Sequence, residues 1–134
     1  MARRNASLGF FGMFGRSEDL RALDRALRDA DLHPALVPEG VKLTVVNLMK
    51  DAYASDEPPP EAYRRAADLL AYCVGGAEAF EGAVGTGRLR DVERRIEAAI
   101  DHDGGYDAEL VLLALHSRLI SPEVVERFDL RAEG

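Results

Sequence analysis

The sequence predicts an all-α fold, a compact orthogonal bundle of six or seven short helices around a central apolar helix at about residues 107–119. Three observations predict it. Apolar residues recur every three or four positions in segment after segment, as on one face of a helix. Pro, Gly and small hydroxyl residues stand where helices start and stop. One segment alternates like a strand, but no second segment offers it a pairing partner. At 134 residues with 47% hydrophobic content, the chain has enough material for one sizeable core.

Ser17, Glu18 and Asp19 form a helix-start pattern, and Leu20, Leu23, Leu27 and Ala30 then share a face to about Ala30. In "DLHPALVP", Pro34 and Pro38 remove N–H donors and turn the segment into a connection, with His33 a loop residue. Residues 41–48 are the ambiguous stretch. Val41, Leu43 and Val45 alternate, but Val41, Val45, Leu48 and Ala52 repeat at helical spacing, and length decides for helix. A Pro-rich loop at about 54–60, "SDEPPP", leads to Pro60 at the first turn of helix three. That helix turns Ala62, Ala66, Leu69, Leu70 and Cys73 inward and stops at Gly75-Gly76. A short helix covers 77–84.

Thr86 repeats the capping role of Ser17, and Leu89, Val92, Ile96, Ala99 and Ile100 give the cleanest amphipathic stripe in the chain. From Asp107 to Leu119 the residues are apolar on nearly every side, as expected for the hub of the core. Ser121, Pro122 and Glu123 open a last helix, and the tail after Asp129 is expected to fray. An echo at an offset of 69 aligns "SEDLRALDRALRDA" with "TGRLRDVERRIEAA"; any two capped amphipathic helices rich in Leu and Arg share as much.

Residues 1–16 read as an apolar and basic arm ahead of a single helical domain at 17–134. Phe10, Phe11, Met13 and Phe14 crowd into five positions, so they must either fold back onto the core or form an interaction surface. The run is broken by Gly9 and Gly12 and has no small-residue cleavage pattern, so no signal peptide is read. No window reaches the roughly 18–20 unbroken apolar residues of a membrane span. A lone Cys73 inside an apolar pattern fits a reducing compartment, and the expected location is cytoplasmic. Fifteen Arg against two Lys, with twenty Ala, is a bacterial-type composition.

The net charge of −7 argues against nucleic acid as the principal partner. The charge is uneven: residues 1–28 carry six Arg against three acids, a local +3 that leaves −10 for the rest. Basic and acidic regions of this kind point to protein contacts.

The stretch "DHDGGYDAEL" has the acids of a metal loop, with Asp101, Asp103, Asp107 and Glu109 as the candidate ligands. Counted from Asp101, however, position 5 is Gly105, position 6 is Tyr106 and position 12 is Leu112, where a calcium loop needs an oxygen ligand, a glycine and a bidentate Glu. The simpler reading is a helix stop and start, with Gly104 or Gly105 at positive φ, the acids in solvent and no ion. His116 falls seven residues after Glu109 on the same helix face, so a groove near His116, Glu109 and the 101–107 turn is the rival site for an enzyme or a ligand-binding domain. Three His and one Cys cannot assemble a zinc set at standard spacing. No Ser lies in a nucleophile elbow, and the glycines of "GAVGTG" fit a sharp turn better than a phosphate cradle. The expectation is therefore a small acidic helical module without a cofactor, which binds another protein or itself, with a homodimer as one form of the latter.

Overall fold

The computed structural model describes residues 6–102 and 104–130, with side chains from Glu18 onward. Among them the fold is all-α: α1 (Ala6–Asp29), α2 (Glu39–Tyr53), α3 (Pro60–Gly75), α4 (Ala77–Val84), α5 (Thr86–His102), α6 (Tyr106–His116) and α7 (Pro122–Phe128), with a 3-10 turn at Pro34–Leu36. No strand occurs among the described residues, and 41–48 lies within α2.

The helices end in two ways. At Gly76, Gly85 and Gly105 the chain reverses through φ of 91, 96 and 94° with ψ near 170°, a region that a Cβ makes costly. The glycine expected at positive φ in "DHDGGYDAEL" is thus Gly105. The other stops use non-glycine residues in the left-handed region: Asp31, Ala54, Arg118 and Asp129. After each, the next N–H reaches back to a carbonyl of the last turn, as from Leu32 to Leu27 (2.9 Å) and Leu119 to Ala114 (2.8 Å).

Two helix starts differ from the sequence reading. Helix α1 begins at Ala6 rather than Ser17, because glycine weakens a helix without removing a hydrogen bond, so Gly9, Gly12 and Gly15 do not break it. Thr86 does not cap; its hydroxyl donates to Glu81 at 2.9 Å. Ser121 holds the cap position of α7, but its hydroxyl has no partner among the described residues, and its N–H instead donates to Cys73 O at 2.7 Å.

The hub of the core also moves, from α6 to α3. Helix α3 packs against α1, α2, α4, α5 and α6, and its buried positions run almost without interruption from Ala66 to Cys73. Helix α6 touches α2, α3 and α5, buries Leu110, Val111 and Ala114, and leaves Leu112 49% exposed. The cause is side-chain size. Ala62, Ala66, Ala67 and Ala71 let five neighbouring helices approach α3 closely, whereas the bulkier α6 packs against three.

Candidate functional site

The most extensive helix pair, α1 with α3, frames a cleft of about 500 Å³ whose far wall is the start of α5. Spacing explains the α1 side. Leu23 and Leu27 are fully buried, Ala22 and Ala26 are the next positions around the helix, and Arg21, Arg25 and Arg28 stand beyond them in solvent. Ala22 and Ala26 form an apolar floor with Pro58, Pro60 and Tyr63; Arg25, Arg64 and Arg88 supply the positive charge, and Asp29 and Glu61 stand at the rim. A second, shallower concavity lined by Arg21, Asp24, Arg25 and Arg28 continues along α1.

The charged groups around the cleft fall into two sets. One set is engaged. Arg88 donates through Nε (3.1 Å) and Nη2 (2.6 Å) to Asp68, a buried residue on the inner side of α3, and Arg64 stands 3.8 Å from the same carboxylate. The hydrogen bond to Asp68 raises the pKa of Arg88 against the opposing effect of burial, and the charges of Asp68 and Asp29 add to the rise. Tyr63 donates to Asp19 at 3.0 Å, Lys50 pairs with Asp19 at 2.7 Å, and Lys42 pairs with Asp24 at 2.9 Å. Burial first, then the charge and hydrogen bond of Asp19, raise the Tyr63 phenol pKa. The other set is free: among the described residues, no ion pair or hydrogen bond engages the side chains of Arg21, Arg25 or Arg28.

The residues singled out in the sequence lie elsewhere. Asp107 faces inward, contrary to the expectation that the acids of the 101–107 turn sit in solvent. It accepts from Arg95 Nε (3.1 Å) and Nη2 (2.9 Å), and Arg95 Nη1 donates to the carbonyl of Arg65 at 3.0 Å. The reason is Arg95 itself, buried in α5, whose guanidinium needs a counter-charge. Asp101, Glu109 and His116 are exposed, and Asp103 lies outside the described residues. The cleft between α1, α3 and α5 includes neither Glu109 nor His116. Among the described residues, no three His, Cys, Asp or Glu stand close enough to hold a metal ion. Cys73 is buried, which pushes its thiol up to about 12, with the nearby Arg95 opposing the rise. The side chains of Phe10, Phe11, Met13 and Phe14 lie outside the described residues.

Sequence reasoning registered the basic excess at the start of the chain but not the cleft beside it. The 21, 25, 28 spacing was the available signal, since it places three arginines on one helix face. No helix among the described residues is long and apolar enough to cross a membrane. Compared with protein-family models, with curated proteins and with solved structures, the chain has no match.

Proposed function

We propose that this chain is a non-catalytic, cytoplasmic protein-interaction module that engages its partner through the cleft between α1, α3 and α5. The observation that carries the reading is the free arginine stripe, Arg21, Arg25 and Arg28, beside a concave apolar floor in a chain of net charge −7. An apolar depression flanked by unsatisfied guanidinium groups has the makings of an interface: a side-chain pocket, plus arginines that can pair once water is excluded. The chemistry around it supports binding over catalysis. Tyr63, the one phenol on the cleft, has its pKa raised further above the ordinary range by burial and donates its hydroxyl to Asp19, so it is not activated as a base or nucleophile. The partner is another protein or a second copy of this chain.

The test is a pull-down from native lysate, with sedimentation velocity of the purified full chain, comparing wild type with Arg25→Glu/Arg28→Glu and with Arg118→Glu as a charge-reversal control. The expected result is a partner, or a self-association, that is lost in the α1 variant and kept in the control. Equal recovery by all three proteins would move the interface away from this cleft.

A further inference from the structure

We infer that the occupant of the cleft is a short acidic peptide segment carrying an apolar side chain. The apolar group rests on Ala22, Ala26 and Tyr63, and its carboxylates meet Arg21, Arg25 and Arg28. This inference rests on the interaction reading above and gives that partner a chemistry.

Charge is the first argument. Among the described residues, Lys42, Lys50, Arg64, Arg65, Arg88, Arg94, Arg95 and Arg127 all stand within ion-pair distance of an acid of the same chain. The arginines and lysines without such a pair among the described residues are the α1 stripe, Arg90 and Arg118. Three neighbouring guanidinium groups are left open, Arg25 on the cleft and Arg21 and Arg28 on the concavity that continues from it along α1, and in an acidic chain they call for carboxylates from outside.

Geometry gives the second. Arg88 reaches the cleft but is held by Asp68, and drawing it toward a ligand would leave a buried carboxylate without its cation. The acids of the occupant must therefore sit at the rim, on α1, while the middle receives something apolar. The stripe spans two helical turns, roughly 10 Å at 1.5 Å per residue. A single small anion cannot bridge that length, whereas acids spaced along a peptide can.

The rim argues against a polyanion. Asp29 and Glu61 stand beside the arginines, and a continuous phosphate backbone would run past both of them on a chain that already repels it. A peptide can place its acids selectively. A cavity of about 500 Å³ lies within the range of sites that enclose a compact group.

The experiment is fluorescence anisotropy with a labelled peptide Gly-Glu-Glu-Leu-Glu-Leu-Glu-Glu-Gly and the full chain. Controls are the same peptide with Gln for every Glu and with Ala for every Leu, a single-stranded oligonucleotide, and vesicles of phosphatidylserine. The parent peptide is expected to bind at least about tenfold more tightly than either peptide control, and to weaken as salt rises. Arg25→Glu/Arg28→Glu, both on exposed positions, is expected to abolish the preference for Glu over Gln while far-UV circular dichroism stays unchanged. Equal binding of the Gln peptide, tighter binding of the oligonucleotide or the vesicles, or no binding of the parent peptide overturns the inference. If a lysate partner depends on the α1 arginines but is displaced by the Gln peptide and not by the Glu peptide, the interaction reading stands and the acidic occupant falls.

Discussion

Arg95 and Asp107 join α5 to the first turn of α6 through two parallel hydrogen bonds, 3.1 and 2.9 Å, and the arginine is the buried member, 7% exposed against 26% for the aspartate. Burial lowers the pKa of Arg95, but the hydrogen bond and charge of Asp107, helped by Asp91 and Asp68, more than offset it, and the net change is upward. The asymmetry in burial sets an order of damage. Asp107→Ala strands a guanidinium inside the core and is expected to cost about 3–5 kcal/mol. Arg95→Met keeps most of the packing and leaves a carboxylate that water can reach, so its cost should be nearer ~1–2 kcal/mol. Urea unfolding of both variants and of the double mutant gives the comparison. A smaller loss for Asp107→Ala than for Arg95→Met would contradict the placement of the charge.

The pair between α3 and α5 reverses that order. Here the acid is the buried member, with the Asp68 side chain 5% exposed and Arg88 34% exposed. Arg88→Ala removes the bidentate partner and leaves Arg64, 3.8 Å away, as the remaining cation within ion-pair distance of Asp68 among the described residues. Its expected cost is about 3 kcal/mol. Asp68→Ala frees an arginine that can rotate into water and should cost roughly half as much. Both values come from chemical denaturation, and the ranking is the informative outcome.

Backbone conformation can be separated from crowding at three glycines. At Gly105, with φ of 94°, a Cβ would meet nothing within 4 Å, so Gly105→Ala isolates the cost of the conformation. That cost is expected to be ~1–3 kcal/mol. At Gly76 a Cβ would also press on the Glu123 carboxylate, the end of an exposed and flexible side chain, so Gly76→Ala should be slightly worse. Gly40 sits in the first turn of α2 with open space around it, and Gly40→Ala should stabilise by about 0.5–1 kcal/mol. Opposite signs at positions 40 and 105 in thermal melts are the result to look for.

The same contrast explains which boundaries could be read in advance. Helices α3 and α7 each begin on a proline, and Gly76 and Gly85 mark the junctions on either side of α4, so these limits were legible. The end of α6 was not, because its stop is Arg118 in the left-handed region, and nothing about an arginine announces that conformation. Leu119 therefore falls past the helix, although its apolar character invited the longer reading. The hub was misplaced for a related reason: alanines contribute little to an apolar stripe, yet they decide how closely helices approach. The cleft was half legible. Arg21, Arg25 and Arg28 are one helix face in any reading, but Arg64 and Arg88 reach the cleft only through the packing of α3 and α5 on α1, a relationship between distant segments that no local pattern carries.

Alkaline pH should unfold this protein through four groups acting in one direction. Burial pushes the Cys73 thiol from 9.0 up to about 12. The phenols of Tyr63, Tyr72 and Tyr106 are likewise raised above 10.0, in each case by burial first; Asp19 adds to the rise at Tyr63, Glu93 at Tyr72 and Tyr53 at Tyr106. Each group is neutral in both states at low pH, and the unfolded chain ionises first as pH rises. The contribution of Cys73 to stability is therefore whole below about pH 9 and lost between there and about 12, while that of the tyrosines begins to fall above about pH 10. As far as these groups are concerned, Tm should be level from neutral pH to about 9 and then drop, and in a Tyr53→Phe variant, which removes the one exposed phenol, phenolate absorbance should rise together with the loss of helical circular dichroism. Phenolate forming well before the helices melt would show that these hydroxyls are open to solvent. At pH 8 the folded protein should resist a thiol reagent that labels the urea-unfolded chain at once, and labelling at the same rate in both states would mean that Cys73 is not held beneath the start of α7, where its carbonyl accepts the N–H of Ser121.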